Sequence, residues 1–427
     1  MPTQPSLFSE PPPAPLVHHD TDTFIGELRG FEGEGKRTEA HTATTAVDGR
    51  PVVVPLLVNE FWTKRQRAAH SLHEISYRAC FKPQLPRFFI ERLTAPGSSI
   101  YDPFSGRGTT ALEAALLGRV PSATDINPLS RILLEPRLDP PALSEITARL
   151  KQVPWSRTGR VRDDLLVFYH PETLRHLSAL RRYLLQREAS GTIDRIDKWL
   201  RMVAVNRLTG HSRGFFSVYT MPPNQAVSIQ SQIKINARRN QTPPPRDVAA
   251  LVARKSRQLL RDVDATARER LAACRRRAQL LTQPAADTPA IHSESVDLVV
   301  TSPPFLDVVN YAADNWLRCW FCDIDPDTVN ITIARQPQAW HDAMREVFAE
   351  LVRVLRPGKF VAFEVGEVNG GALRLEEVVI PSAIRAGLTP RLVLVNSQQF
   401  TKTANCWGVT NNTKGTNTNR IVLLQKG

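Results

Sequence analysis

Acid is what this chain is short of. Against 55 lysines and arginines stand 42 aspartates and glutamates, a formal charge of +13 over 427 residues. An excess of that sign favours a polyanionic partner such as nucleic acid. Cysteine is scarce as well, with five, at positions 80, 274, 319, 322 and 406, so no disulfide framework is expected. Cys319-Trp320-Phe321-Cys322 has C-x-x-C spacing but lacks the second pair that a zinc site needs. Two buried thiols on a helix, and no metal, are expected there. No apolar run approaches 20 residues and no signal-type leader is present, which sets aside export and membrane spanning. The cytoplasm is the expected location. No G-x-x-x-x-G-K-[ST] occurs, which excludes a P-loop.

What remains is a globular chain, 42% hydrophobic and long enough for two domains or for one with a large insertion. Residues 1–50 are rich in Pro, Thr, Glu and Gly and read as a flexible tail, with order beginning near Val52. Residues 61–93 carry a helical pattern that Phe81-Lys82-Pro83 interrupts.

The next stretch is denser in meaning. Ile100 to Phe104 is a short strand, followed by the turn Ser105-Gly106-Arg107-Gly108-Thr109-Thr110 and a helix opening at Ala111. A second strand, 120–124, closes on Asp125-Ile126. This is a βαβ unit with an acid about 20 residues after the glycines, the spacing of a ribose-binding carboxylate. Gly106 and Gly108 allow close approach of backbone to ligand. On these residues alone the unit fits a nicotinamide dinucleotide, an adenosyl ligand, or a packing turn with no ligand.

Residues 141–283 read as a mainly helical insertion. Within it, 209–223 mixes glycines, aromatics and polar donors and suits a surface loop that contacts a partner. Residues 229–239 are a basic amphipathic helix, and 254–277 a long arginine-dense one. Asp287 begins the return to the sheet. The apolar run 295–300 is a buried strand that Thr301-Ser302-Pro303-Pro304-Phe305 must end, because neither proline carries an N–H. A hydroxyl, an exposed carbonyl and an aromatic ring then sit where open α/β sheets bind ligands. They suit a flat ring bearing an amino group. Residues 400–419 form a loop too long for a structural turn and too polar for core.

Asp102-Pro103-Phe104-Ser105-Gly106-Arg107-Gly108-Thr109-Thr110 resembles the D-P-F-x-G-x-G-T-T motif of amino-type DNA methyltransferases, and 301–305 resembles their T-S-P-P-[YF] motif. Phe81-Lys82-Pro83 is similar to the K-P motif those enzymes place against the methionine part of their cofactor. The resemblance implies an α/β, Rossmann-like class I methyltransferase with a mostly parallel sheet and S-adenosylmethionine as cofactor. It implies catalytic roles for Ser302, Pro303, Pro304 and Phe305. Phe81, Lys82, Pro83, Asp102, Pro103, Phe104, Gly106, Gly108, Thr109, Thr110, Asp125, Ile126 and Asp287 would hold the cofactor, with Asp125 on its ribose and Asp287 at its adenine amino group.

The serine of Ser-Pro-Pro-Phe is typical of enzymes acting on cytosine N4; those acting on adenine N6 more often carry Asp or Asn. The implied partner is double-stranded DNA, with a cognate restriction endonuclease alongside. Three alternatives stay open: an adenine-N6 enzyme, an RNA methyltransferase, and a DNA-binding protein without turnover. The expected DNA contacts are His211, Arg213, Phe215, Lys234, Arg238, Arg239, Lys402, Asn405, Trp407, Asn411 and Asn412. The insertion is the candidate target-recognition region, between catalytic halves at 51–140 and 284–427.

Overall fold

The structure is a computed structural model that describes residues 17, 20–33, 35–62, 69–78, 80–156, 161–221, 225–304, 311–329, 337–365, 367–368, 373–374, 376–397 and 418–427. The chain opens with α1 (Thr21–Arg29), the short pair β1 (Glu32–Gly33) and β2 (Lys36–Arg37), and the hairpin β3 (Glu39–Val47) and β4 (Arg50–Asn59). Then come α2 (Gln84–Leu93), β5 (Ser99–Asp102), α3 (Thr109–Leu116), β6 (Val120–Thr124) and α4 (Pro128–Leu134). Six helices follow: α5 (Leu143–Gln152), α6 (Pro171–Ala189), α7 (Arg195–Val205), α8 (Ile229–Arg239), α9 (Val248–Leu259) and α10 (Ala265–Arg275). The return runs through β7 (Gln279–Leu281), β8 (Val296–Thr301), α11 (Tyr311–Cys322), α12 (Pro337–Val354) and β9 (Leu355–Val365). Last come β10 (Glu367–Val368), β11 (Leu373–Arg374), α13 (Glu376–Arg385), β12 (Leu388–Ser397) and β13 (Thr418–Lys426).

Nine strands form one sheet in the order β3-β4-β12-β13-β9-β8-β5-β6-β7. The segment β9-β8-β5-β6-β7 is parallel throughout, and β13 runs antiparallel to both β9 and β12. β5, entered first, lies between β6 and β8, so strand order reverses there. That reversal opens a crevice at the carboxyl ends of β5 and β8, the switch point where doubly wound sheets take ligands.

Helices cover both faces, as a parallel sheet requires. On one face α1 and α2 bury Phe24, Leu28, Phe88, Phe89 and Leu93 against Leu298, Val300, Leu392 and Leu423. On the other, Trp340, Phe348 and Leu351 of α12 pack on Val299, Val361 and Phe363. A third apolar cluster joins α3 and α4 to the helices between β6 and β7, around Trp199, Leu200 and Val203. Those helices start on side-chain caps that the sequence supplies: Asp194 for α7, Ser228 for α8, Asp247 for α9 and Asp264 for α10.

Two expectations are corrected. The flexible tail to residue 50 instead holds α1, capped by Asp20, and β3, whose full-length pairing with β4 extends the sheet by a hairpin. β3 is an edge strand of Thr, Ala, His and Glu with most side chains in water, so its composition resembles a tail. The pattern at 254–277 is two helices, because Asp264 caps a new start after α9 ends at Leu259. Cys319 and Cys322 are buried on α11.

Candidate active site

The carboxyl ends of β5, β6 and β8 meet one cavity of about 250 Å3. Its walls include Phe81, Asp102, Pro103, Phe104, Gly106, Thr109, Asp125, Ile126, Ser302, Pro303 and Pro304. The two motif blocks, some 200 positions apart in sequence, therefore share a cleft. Two bonds fasten them: Thr301 Oγ1 donates to Asp102 Oδ1 (2.7 Å), and Thr110 Oγ1 donates to the Val300 carbonyl (3.0 Å).

The turn owes its shape to its glycines. Gly108 sits at φ +76°, and a Cβ there would lie 2.7 Å from the Leu134 side chain. It packs the turn onto α4 and does not reach the cleft. Gly106, at φ +53°, lines the cleft, and its N–H donates to Asp125 Oδ2 (2.8 Å). The other Asp125 oxygen accepts from the Asn127 N–H (2.8 Å), so each keeps a lone pair for a further donor. Burial raises Asp125 to about 6. Asp102 is raised to about 7, again by burial, against the opposing bonds from Thr301 and the Phe104 N–H. No lysine or arginine pairs with either carboxylate among the described residues.

A further part of the wall is a strap, residues 71–78 and 80–81, with Tyr77, Cys80 and Phe81 in the cavity. Arg107, between the two glycines, points away from the cleft and holds this strap by its carbonyls: Ile75 (2.8 Å), His73 (3.4 Å) and Phe81 (3.4 Å). Arg137, fully buried, donates to the Leu72 and Arg107 carbonyls. Beneath lies a polar cluster in which buried Glu113 accepts from Arg87 (2.6 Å) and is bonded to His73 (2.7 Å), a histidine that burial lowers to about 4.

Several expected residues lie elsewhere. Lys82 and Pro83 sit at the start of α2, outside the cavity wall, and Thr110 is spent on Val300. Asp287 does not line the cavity; the preceding Pro284, Ala285 and Ala286 do, because the Asp287 N–H turns back onto the Pro284 carbonyl. Phe215 is not an outward contact. Its ring is 5% exposed, packed where Gly210 leaves no Cβ and covered by the Arg207 guanidinium at 4.0 Å. Most of 209–220 is likewise buried, while His211 and Arg213 face solvent. Lys234, Arg238 and Arg239 are exposed on α8, with Arg239 over the Tyr219 ring at 3.8 Å. Phe305, Lys402, Asn405, Trp407, Asn411 and Asn412 lie outside the described residues.

Other wall residues carried no motif: Asn127, Trp340, Met344, Glu346 and Val347. Trp340 Nε1 donates to the Pro304 carbonyl (3.0 Å), so that carbonyl already has a donor.

A cleft at the β5/β8 switch point, in a sheet whose last strand inserts antiparallel between β9 and β12, defines a class I S-adenosylmethionine-dependent methyltransferase fold. Residues 54–129 match the N6/N4 family model described as DNA methylase. It is similar to the type II methyltransferase M.MvaI of Kocuria varians, 30% identical over 111 residues, 25% of this chain and 23% of that protein. It is also similar to the type II methyltransferase M.MjaII of Methanocaldococcus jannaschii, 33% identical over 75 residues, 18% of this chain and 14% of that one. The matched stretch spans less than a quarter of these relatives' lengths. Among solved structures, the rRNA methyltransferase aviRa of Streptomyces viridochromogenes aligns over 83% of this chain and 89% of its own, at 12% identity and a TM-score of 0.30. A score that low adds nothing to the topology read from the strand order.

The residues present fit S-adenosylmethionine, the cofactor that the motifs imply. The Ser105 hydroxyl, buried in the cavity wall, has no partner among the described residues. Asp125 retains acceptor capacity, Ile126, Ala285 and Ala286 give an apolar surface for a purine, and Asp102 offers uncompensated negative charge to a cation.

Proposed function

We propose that this protein methylates the exocyclic N4 amine of cytosine in duplex DNA at a specific site, within a restriction-modification system. The observation that carries the reading is the shared cavity: Ser302 and Pro303 face the same space as Gly106 and Asp125. The type II methyltransferase names of M.MvaI and M.MjaII support it, as does the serine form of the Pro-Pro motif.

Asp125 holds the cofactor's ribose, the Gly106 turn admits its amino-acid end, and Asp102 favours its sulfonium. When bound, S-adenosylmethionine supplies an electrophilic methyl group. The cytosine amine is a poor nucleophile because its lone pair is delocalised into the ring. The Ser302 hydroxyl and the Pro303 carbonyl accept its two N–H groups and favour a pyramidal nitrogen whose lone pair faces the methyl. Placement and preorganised acceptors then carry the rate. One N–C bond forms as the S–C bond breaks, and the surplus amine proton is lost to solvent. Phe305 stacks on a base turned out of the duplex, since the amine cannot otherwise enter the cleft. The cytoplasm is the proposed location, residues 141–283 the proposed recognition region, and a cognate endonuclease the proposed companion.

Mass spectrometry of nucleosides from duplex DNA incubated with the protein and methyl-labelled cofactor tests this. Labelled N4-methylcytosine is expected; labelled N6-methyladenine overturns the base assignment. Ser302→Ala is expected to lower kcat by about 100-fold, the scale of removing one preorganised polar group. Methylation by that variant at the wild-type rate removes the catalytic assignment.

A further inference from the structure

Beside the buried segment 209–220 the arginines converge in a way the ion pairs of the rest of the chain do not. Arg207 follows α7, Arg213 stands on the exposed tip of the segment, Arg246 lies just before α9, and Arg254 comes from the middle of that helix. The Arg254 guanidinium donates to the Arg213 carbonyl (3.2 Å). The Arg207 guanidinium carbon lies 4.0 Å from the centre of the Phe215 ring. A Cβ added at Gly214 would lie 3.6 Å from one Arg254 nitrogen and 3.9 Å from one Arg207 nitrogen. The two guanidinium groups thus close on the same bare stretch of backbone. The Nε of Arg246 is buried with no acceptor among the described residues.

Among the described residues no carboxylate answers this charge. None of the four arginines has an acidic partner within 4.0 Å among the described residues, and nearby acids are occupied elsewhere. Asp247 caps α9, while Glu74 and Asp262 are both held by Arg261. The cost shows in the cations themselves. Burial and Arg254 lower Arg207 to about 10, burial and then Arg213 and Arg254 lower Arg246, and burial and Arg207 lower the adjoining Lys255 to about 8. Like charges held this close raise the energy of the free protein and fall to a favourable arrangement only when an anion enters. Planar guanidinium forks suit phosphate oxygens, two per fork.

The cluster is tied to the cleft. Asn206, next to Arg207, accepts from the Ser76 N–H (2.8 Å), and Arg318 donates to the Ser76 carbonyl (3.0 Å). Tyr77, the following residue, is part of the cavity wall. A backbone gripped at the arginines is therefore gripped on an element continuous with the strap over the cofactor site.

We propose that Arg207, Arg213, Arg246 and Arg254 form a clamp for the sugar-phosphate backbone of duplex DNA, holding it beside the cleft without reading its sequence. The clamp rests on the reading of the chain as a DNA methyltransferase, but its signature is separate. Phosphate contacts strengthen binding to all sequences alike and set its dependence on salt.

The test measures binding of a 30-base-pair duplex by fluorescence anisotropy across a salt series, for the wild type and for Arg213→Gln/Arg254→Gln. Both side chains are exposed, and unchanged S-adenosylmethionine affinity and thermal midpoint report an intact fold. Each phosphate that is no longer neutralised makes the slope of log K against log salt shallower by about 0.9. A slope shallower by about 1–2 is expected, with affinity at low salt weakened about tenfold for cognate and unrelated duplexes alike. Arg213→Lys/Arg254→Lys, which keeps the charge, is expected to recover most of the slope. Wild-type slope and affinity in the glutamine variant overturn the clamp, and so does an effect seen on duplex RNA but not on DNA. Nucleoside analysis of the same DNA reports separately on methyl transfer: methylation with an unaltered slope sinks the clamp alone, and an altered slope without methylation sinks the catalytic reading alone.

Discussion

Two regions of the same helical stretch treat charge in opposite ways. At the seam of α5, α6 and α7 every strong charge is answered: Arg149 binds Asp194 (2.7 Å) and Asp197, and Arg187 binds Asp197 (2.6 Å). Close by, Glu135 collects Lys198 (2.9 Å), Arg275 (2.6 Å) and Arg131 (3.2 Å) and is lowered to about 2. Among the described residues, four arginines around Gly214 stand without an acid, and Asp102 and Asp125 in the cleft stand without a cation. Neutralised charge ties helices to one another. Charge left standing marks the two surfaces proposed to take a ligand of opposite sign, a polyanion in one case and a sulfonium in the other. Arginine density along the sequence distinguishes neither, since both regions are rich in it.

Asp197 is where neutralised charge matters most. It is fully buried, completes the capping box of α7 and is shared by two arginines. Asp197→Ala leaves Arg149 and Arg187 with Asp194 as their remaining carboxylate and removes the reciprocal cap of α7; it is expected to cost about 2–3 kcal/mol in denaturant unfolding, and a loss below about 1 kcal/mol would put the seam on a par with surface pairs.

Next in size is a pH effect in the cleft. The folded state holds Asp102 at about 7 and Asp125 at about 6, both above the ordinary aspartate value of 3.8. The native state keeps these protons longer than the unfolded chain does. Their contribution is therefore most favourable below about pH 4, declines as pH rises from about 4 to 7, and is constant above that. The change is on the order of a few kcal/mol. Asp102→Asn keeps an acceptor for Thr301 and is expected to flatten this decline in urea midpoints taken at about pH 4.5, 6 and 8. An equally steep decline in the variant would show that Asp102 is not the group that titrates.

Smallest is the effect of removing unanswered charge. Arg213→Gln/Arg254→Gln is expected to shift unfolding free energy by no more than about 0.5 kcal/mol in chemical denaturation. A loss of about 2 kcal/mol or more would class these arginines with the seam.

The parts of the molecule that could be read in advance are those where chain neighbours settle the outcome. The Asp102–Thr110 turn, Asp125 and the Thr301–Pro304 strand end each compress their chemistry into a few adjacent residues, and they line one cavity. What escaped depends on meetings between distant segments. Arg107 reads as an indifferent residue between two glycines until the carbonyls of 73, 75 and 81 come within its reach. Trp340 reads as helix core, yet its indole takes the Pro304 carbonyl. Phe215 sits among glycine, serine and arginine like a loop residue and is drawn inward because Gly210 leaves room for a ring. The hairpin of β3 and β4 contains Pro51 and Pro55 and a run of threonines, and only pairing of β4 with β12 makes it part of the sheet.

The helices α5 to α10 leave the sheet from β6 and return to β7, its immediate neighbour, with Ser122 opposite Gln279. In topological terms they are one overgrown crossover with its two feet on adjoining strands. Such a bridge can be lengthened, shortened or exchanged without re-threading any other strand. A chimera that swaps this single contiguous piece leaves the order of the remaining strands, and the pocket at their ends, to the residues that already build them.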